Sequence, residues 1–187
     1  GLGIDPIPNL AELLEERGIK VLAIDLANVD GLMAMVRRPG SRLAPVVVVN
    51  RRMRGERQRF TLAHELGHLV MRVDSKLDAE KAAHRFAGAL LMPAEAIWAA
   101  IGTHRNSIGW SELFQLKELL RVSVQAIAYR CKDLGIFSET LTRRLFQEFS
   151  RRGWRRPPYD EPCPLAPEEP RRFDRLVYRA LAEQAVS

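Results

Sequence analysis

His64, Glu65 and His68 stand in the spacing HExxH within the run RFTLAHELGHLVM, Arg59 to Met71. Phe60, Leu62, Ala63, Leu66, Leu69 and Val70 recur through that run at steps of three and four, the period of an amphipathic helix. On a helix, positions i and i+4 lie one above the other, so the two imidazoles can meet a single cation. Glu65, turned about 100° around the axis, can reach a water bound to that cation. Metal-assisted hydrolysis is the chemistry this pattern can do. The cation acidifies the water to a pKa of about 7 and polarises a carbonyl, while the glutamate carries the proton from water to leaving amine.

A catalytic zinc site takes three protein ligands and leaves a position open. The longer pattern HExxHxxGxxH is excluded, because position 71 is Met and position 74 is Asp. A downstream carboxylate is therefore expected to complete the site. Glu80 is chosen as early on the next predicted helix, and Asp74 and Asp78 compete with it unless they are solvated caps. His84 lies one turn beyond Glu80. It can orient a ligand, which is the preferred reading, steady the oxyanion of the reaction, or pack as a half-buried ring. Zinc suits a His₂Glu set, and manganese or iron are compatible with it.

These residues need elements to hold them. Asn9 with Glu12 starts a predicted first helix that ends near Gly18; Ile19 to Leu26 and Gly31 to Val36 read as strands; and Pro45 to Asn50, PVVVVN, is the strongest strand signal. An exposed edge strand ending at Val49 and Asn50 would hold an extended peptide beside the metal, whereas a buried strand would only pack on the helix. A helix over 75–91 is expected to present Ala79, Ala82, Ala83, Phe86 and Ala87 to the HExxH helix. Helices follow over 93–101, 111–120, 123–134 and 138–151, the middle pair outlining a helix-turn-helix that is either ordinary packing or a DNA reader. Six prolines make 153–170 an extended connection, and Glu168, Glu169 and Pro170 open a last helix whose stripe, Phe173, Leu176, Val177, Ala180 and Leu181, must dock. The reading is an α+β fold: 1–103 a peptidase core, 104–152 a helical extension, and 153–187 a connection with a docking helix.

Composition bounds the rest. With 187 residues, 47% hydrophobic and 28% charged, the chain can bury a substantial core. It carries no apolar run long enough for a bilayer and no secretory pattern, so a cytoplasmic protein is expected. Cys131 and Cys163 are too few for a disulfide framework and are read as reduced. A net charge of +6 permits nucleic acid or acidic protein partners, or a merely soluble basic surface.

The run RQRFTLAHELGHLVM, the pattern E-x-x-A-x-x-F-A from Glu80 to Ala87 and LLMP from Leu90 to Pro93 resemble the ImmA/IrrE metallopeptidase family. The segments Ile108 to Leu113 and Val122 to Gly135 look like the helical extension of members fused to an XRE-type helix-turn-helix domain. The resemblance implies a zincin-like fold, metal ligation by His64, His68 and Glu80, and Glu65 as general base. It also implies cleavage of an XRE-type transcriptional repressor, relieving repression of stress, DNA-damage or mobile-element genes. A DNA-binding domain ahead of Gly1 is then expected. Two features depart from the family: His84 stands where members usually carry Asn or Asp, and the segment between His68 and Glu80 is short. The rival is a non-proteolytic, DNA-linked regulatory or sensing module whose metal site is structural or ligand-binding.

Overall fold

A computed structural model describes residues 3–37, 40 and 42–185. The expectation attached to Gly1 lies outside them. Three strands, β1 (Lys20–Ile24), β2 (Gly31–Val36) and β3 (Ala44–Asn50), form one sheet in the order β1-β3-β2, with β1 parallel and β2 antiparallel to β3. The helices are α1 (Leu10–Glu16), α2 (Gly55–Val70), α3 (Ala79–Leu91), α4 (Ala94–Ile101), α5 (Trp110–Leu120), α6 (Val124–Asp133), α7 (Glu139–Arg151) and α8 (Arg172–Ala182). The class is α+β, consistent with a zincin-like fold. Strand side chains alternate between faces, and Val21, Val47 and Val49 turn to the core under α1 and α2 while Leu22, Ile24 and Leu32 stay exposed.

Two boundaries differ from the pattern reading for local reasons. The HExxH helix begins at Gly55, a turn before Arg59, so Arg57 and Arg59 are helical residues. The next helix begins at Ala79 rather than Ser75, because the Asp78 side chain accepts the Lys81 N–H as an N-cap. α3 lies close against α2 because Gly67 leaves room there: a Cβ at that position would stand 3.1 Å from Phe86 and 3.3 Å from the Ala83 backbone.

One hydrophobic cluster runs from Leu10 and Val47 through Leu62 and Ala87 to Leu113, Ile127 and Phe149. The division expected at 103/104 therefore crosses a continuous core. The 153–170 segment is a strap fastened along the first turns of α2. Gly55 N–H donates to Leu165 O at 2.9 Å, Leu165 N–H to Glu56 Oε2 at 3.0 Å, and Glu168 N–H to Gln58 Oε1 at 2.8 Å. Lys117, fully buried on α5, sits 2.9 Å from Glu56 Oε1 and 2.8 Å from Glu161 Oε1. Glu168 does not open α8; its carboxylate accepts the Leu10 and Ala11 N–H groups at the start of α1 and pairs with the Arg59 guanidinium. The α8 stripe docks only in part, with Phe173 at 72% exposure, and the helix is tied to α1 by Arg172 N–H to Glu15 and by Arg175 to Glu12. Among the described residues no helix is long and apolar enough to cross a membrane.

Candidate active site

α2 and α3 bring three of the expected residues to one point. His64 Nε2 and His68 Nε2 lie 3.0 Å apart, Glu80 Oε2 is 3.2 Å from the first and Glu80 Oε1 is 3.1 Å from the second. All the donor atoms fall within 4.8 Å of one another, so the group can hold a metal ion. Burial, with the neighbouring His84 and His68, holds the His64 imidazole below its usual pKa and thus neutral, the form a ligand requires. A neutral ring can offer an Nε2 lone pair to a cation that Glu80 shares. Zinc bonds of about 2.0–2.2 Å in tetrahedral geometry separate neighbouring donors by about 3.3–3.5 Å, close to this triangle. The residues present fit a zinc ion.

Glu80 owes its place to the cap before it. Asp78 fixes the first turn of α3, and Glu80, 72% exposed, leans back over α2 from that turn. The two competing carboxylates are spent on the backbone instead: Asp78 on Lys81 N–H, and Asp74 on Lys76 N–H at 2.8 Å.

Glu65 faces the start of β2. A Cβ built on Gly31 would stand 2.5 Å from Thr61 Cγ2, 2.8 Å from Val48 O and 3.7 Å from Glu65 Cγ, so only glycine lets the strand come this near the helix. Burial pushes the Glu65 carboxyl above its ordinary pKa, and the nearby Glu80 charge adds to this while His68 opposes it.

Two expectations need correction. The preferred reading of His84, a hydrogen bond that orients a ligand, is not made: His64 Nδ1 is buried without a partner. The His84 ring instead meets His64 edge-on at 4.9 Å and tilts against Phe60 at 5.4 Å, because its position one turn after Glu80 points an exposed side chain along the cleft. The substrate strand is the second. β3 is the central strand, with both edges paired; Val49 is fully buried, and Asn50 spends its amide on Leu26 O and Val29 O. Neither residue offers a free edge to a peptide. Among the described residues the outer edge of β2 does: Asn50 N–H donates to Asp30 O, and antiparallel alternation then turns the backbone groups of Gly31, Met33 and Met35 outward.

The triad opens on a cleft of about 1160 Å³, above the range of about 300–1,000 Å³ typical of small-molecule pockets. Its far wall comes from parts of the chain distant in sequence from the metal group. α6, the second helix of the supposed DNA-reading pair, lines it with Gln125 and Tyr129, and the strap contributes Arg155 and Tyr159. Arg57, two turns before Glu65 on α2, closes one side by pairing with Asp30 and stacking 4.3 Å over the Tyr159 ring.

Comparison with known proteins agrees with this geometry. Residues 14–132 match the family model described as the IrrE N-terminal-like domain, Peptidase_M78. No match was found among curated proteins. The matched span takes in the HExxH helix, the Glu80 helix and almost all of the α6 wall, and on that ground the chain belongs to the IrrE N-terminal-like family of metallopeptidases.

Proposed function

We propose that this protein is a zinc-dependent endopeptidase that cleaves an XRE-type transcriptional repressor and so relieves repression of stress, DNA-damage or mobile-element genes. The observation that carries the peptidase reading is the convergence of His64, His68 and Glu80 on one point, with the Glu65 carboxylate on the same helix. When bound, zinc supplies a Lewis acid for the carbonyl and a water acidified to a pKa of about 7.

Glu65 takes the proton of the attacking water on a carboxylate oxygen and returns it to the leaving amine. Its raised proton affinity suits both transfers. The substrate backbone lies along the free edge of β2, adding a strand by main-chain hydrogen bonds beside Glu65. His84 donates from its exposed ring to the carbonyl oxygen as negative charge builds there. A repressor substrate implies action in the cytoplasm.

The rival reading, a DNA-linked module, leaves Glu65 without work and asks α6 to read a duplex while it lines this cleft. Incubation with candidate repressors, with and without chelator, separates the two. The expected result is a chelator-sensitive cut that Glu65→Gln does not make. Intact repressor together with tight, salt-dependent DNA binding would favour the module.

A further inference from the structure

We propose that the segment accepted by the cleft is acidic, read by the cations that α6 and the strap contribute to its lining; this rests on the peptidase reading above. Most carboxylates facing the cleft are already committed. Glu56 and Glu161 are buried on the Lys117 ammonium, Asp30 pairs with Arg57, and Asp133 lies 3.8 Å from Arg85. Glu65 and Glu80 belong to the hydrolytic group. Of the cations on the same lining, Arg57 and Arg85 are the partners in two of those pairs, Lys81 pairs with Asp78 at 3.3 Å and Lys132 with Glu139 at 3.0 Å, which leaves Arg130 and Arg155.

Two of these cations have no carboxylate partner among the described residues. Arg130 donates Nε to Met92 O at 2.9 Å, and Arg155 donates Nη1 to Ser150 Oγ at 3.2 Å. Both are held by neutral oxygens, so their charge stays available to a ligand. Arg155 also lies 5.2 Å over the Phe146 ring, which packs 4.5 Å from Tyr129, itself 54% exposed. That stack fixes the guanidinium before anything binds, which lowers the entropy lost on pairing. At the other end, Arg57 is eight residues before Glu65, about 12 Å along the helix, the span of three to four extended residues. Arg57, Arg130 and Arg155 thus all line the cleft that holds the reacting group.

A peptide fits better than a nucleic acid. Glu65 and Glu80 share the same cleft, and a continuous row of phosphates would have to pass them, whereas separate Asp or Glu side chains can avoid them.

The test uses the full chain as Glu65→Gln, loaded with zinc, and labelled peptides of equal length rich in Asp and Glu, in Asn and Gln, or in Lys. Fluorescence anisotropy should give the acidic peptide an affinity about tenfold above the amide one. The margin should shrink with added salt and vanish in a further Arg130→Gln, Arg155→Glu variant, which removes the two cations that have no carboxylate partner. Equal affinity for the amide peptide, a margin that survives charge reversal, or displacement of the acidic peptide by a single-stranded oligonucleotide at lower concentration overturns the proposal. Mass spectrometry of the same peptides with the unsubstituted protein keeps the two readings apart. Cleavage without acidic preference sinks this proposal alone; acidic binding with no cleavage of any peptide sinks the peptidase reading.

Discussion

Gly31 lies beside Glu65, whose Cγ would stand 3.7 Å from an added Cβ, and the same Cβ would meet Thr61 Cγ2 of that helix at 2.5 Å and Val48 O at 2.8 Å. The general base and the free strand edge are therefore set by the same contact. Gly31→Ala is expected to destabilise by about 1–3 kcal/mol through overpacking and to lower turnover while bound metal stays near normal. Thr61→Ser, which removes the nearer clash, should recover part of the loss in the double variant; simple additivity in a thermal-denaturation cycle would contradict the contact.

Lys117→Met leaves Glu56 and Glu161 buried without their ammonium. Loss of one partner from a buried ionic group costs about 3–5 kcal/mol, readable in urea unfolding. Burial already raises the Glu161 carboxyl above its usual pKa against the pull of Lys117, and the substitution removes that pull. A group whose folded pKa is raised favours the fold at low pH and ceases to as pH rises through that value. The deficit of the variant should thus be smallest in acid and grow toward neutrality; a pH-independent deficit would contradict the assignment.

Cys131 is buried and its thiol is pushed up by desolvation from 9.0 to about 12, while Cys163 is exposed. In the folded protein at about pH 8, a disulfide reagent should label Cys163 and spare Cys131, and denaturant should release the second thiol. The unfolded thiol ionises first, so the stability held by Cys131 should fall as pH rises from about 9 toward 12.

The site was more legible in the sequence than its frame. His64, Glu65 and His68 declare themselves by helical spacing, and the need for a third ligand narrows the search to Asp74, Asp78 and Glu80, of which the fold brings Glu80 to the histidines. The sheet order is not a local property. An apolar run such as Val46 to Val49 serves an edge or a centre equally, and its pairing on both sides is settled by β1 and β2. Nor is the strap readable from composition: Lys117, Arg59, Glu161 and Glu168 are types expected at the surface, and only the fold brings them together in the interior. The α5–α6 pair shows the same limit, since local pattern gives two capped helices but not the cleft that α6 faces.

The most direct test of the two-helix metal group needs no substrate: zinc bound per chain by elemental analysis after dialysis, for Glu80→Ala beside Glu65→Gln. The unsubstituted chain and Glu65→Gln should retain one equivalent, because Glu65 is not a ligand, and Glu80→Ala should lose it, because α3 no longer completes the set that α2 begins. Stoichiometric zinc in Glu80→Ala, or none in Glu65→Gln, would contradict this set of ligands.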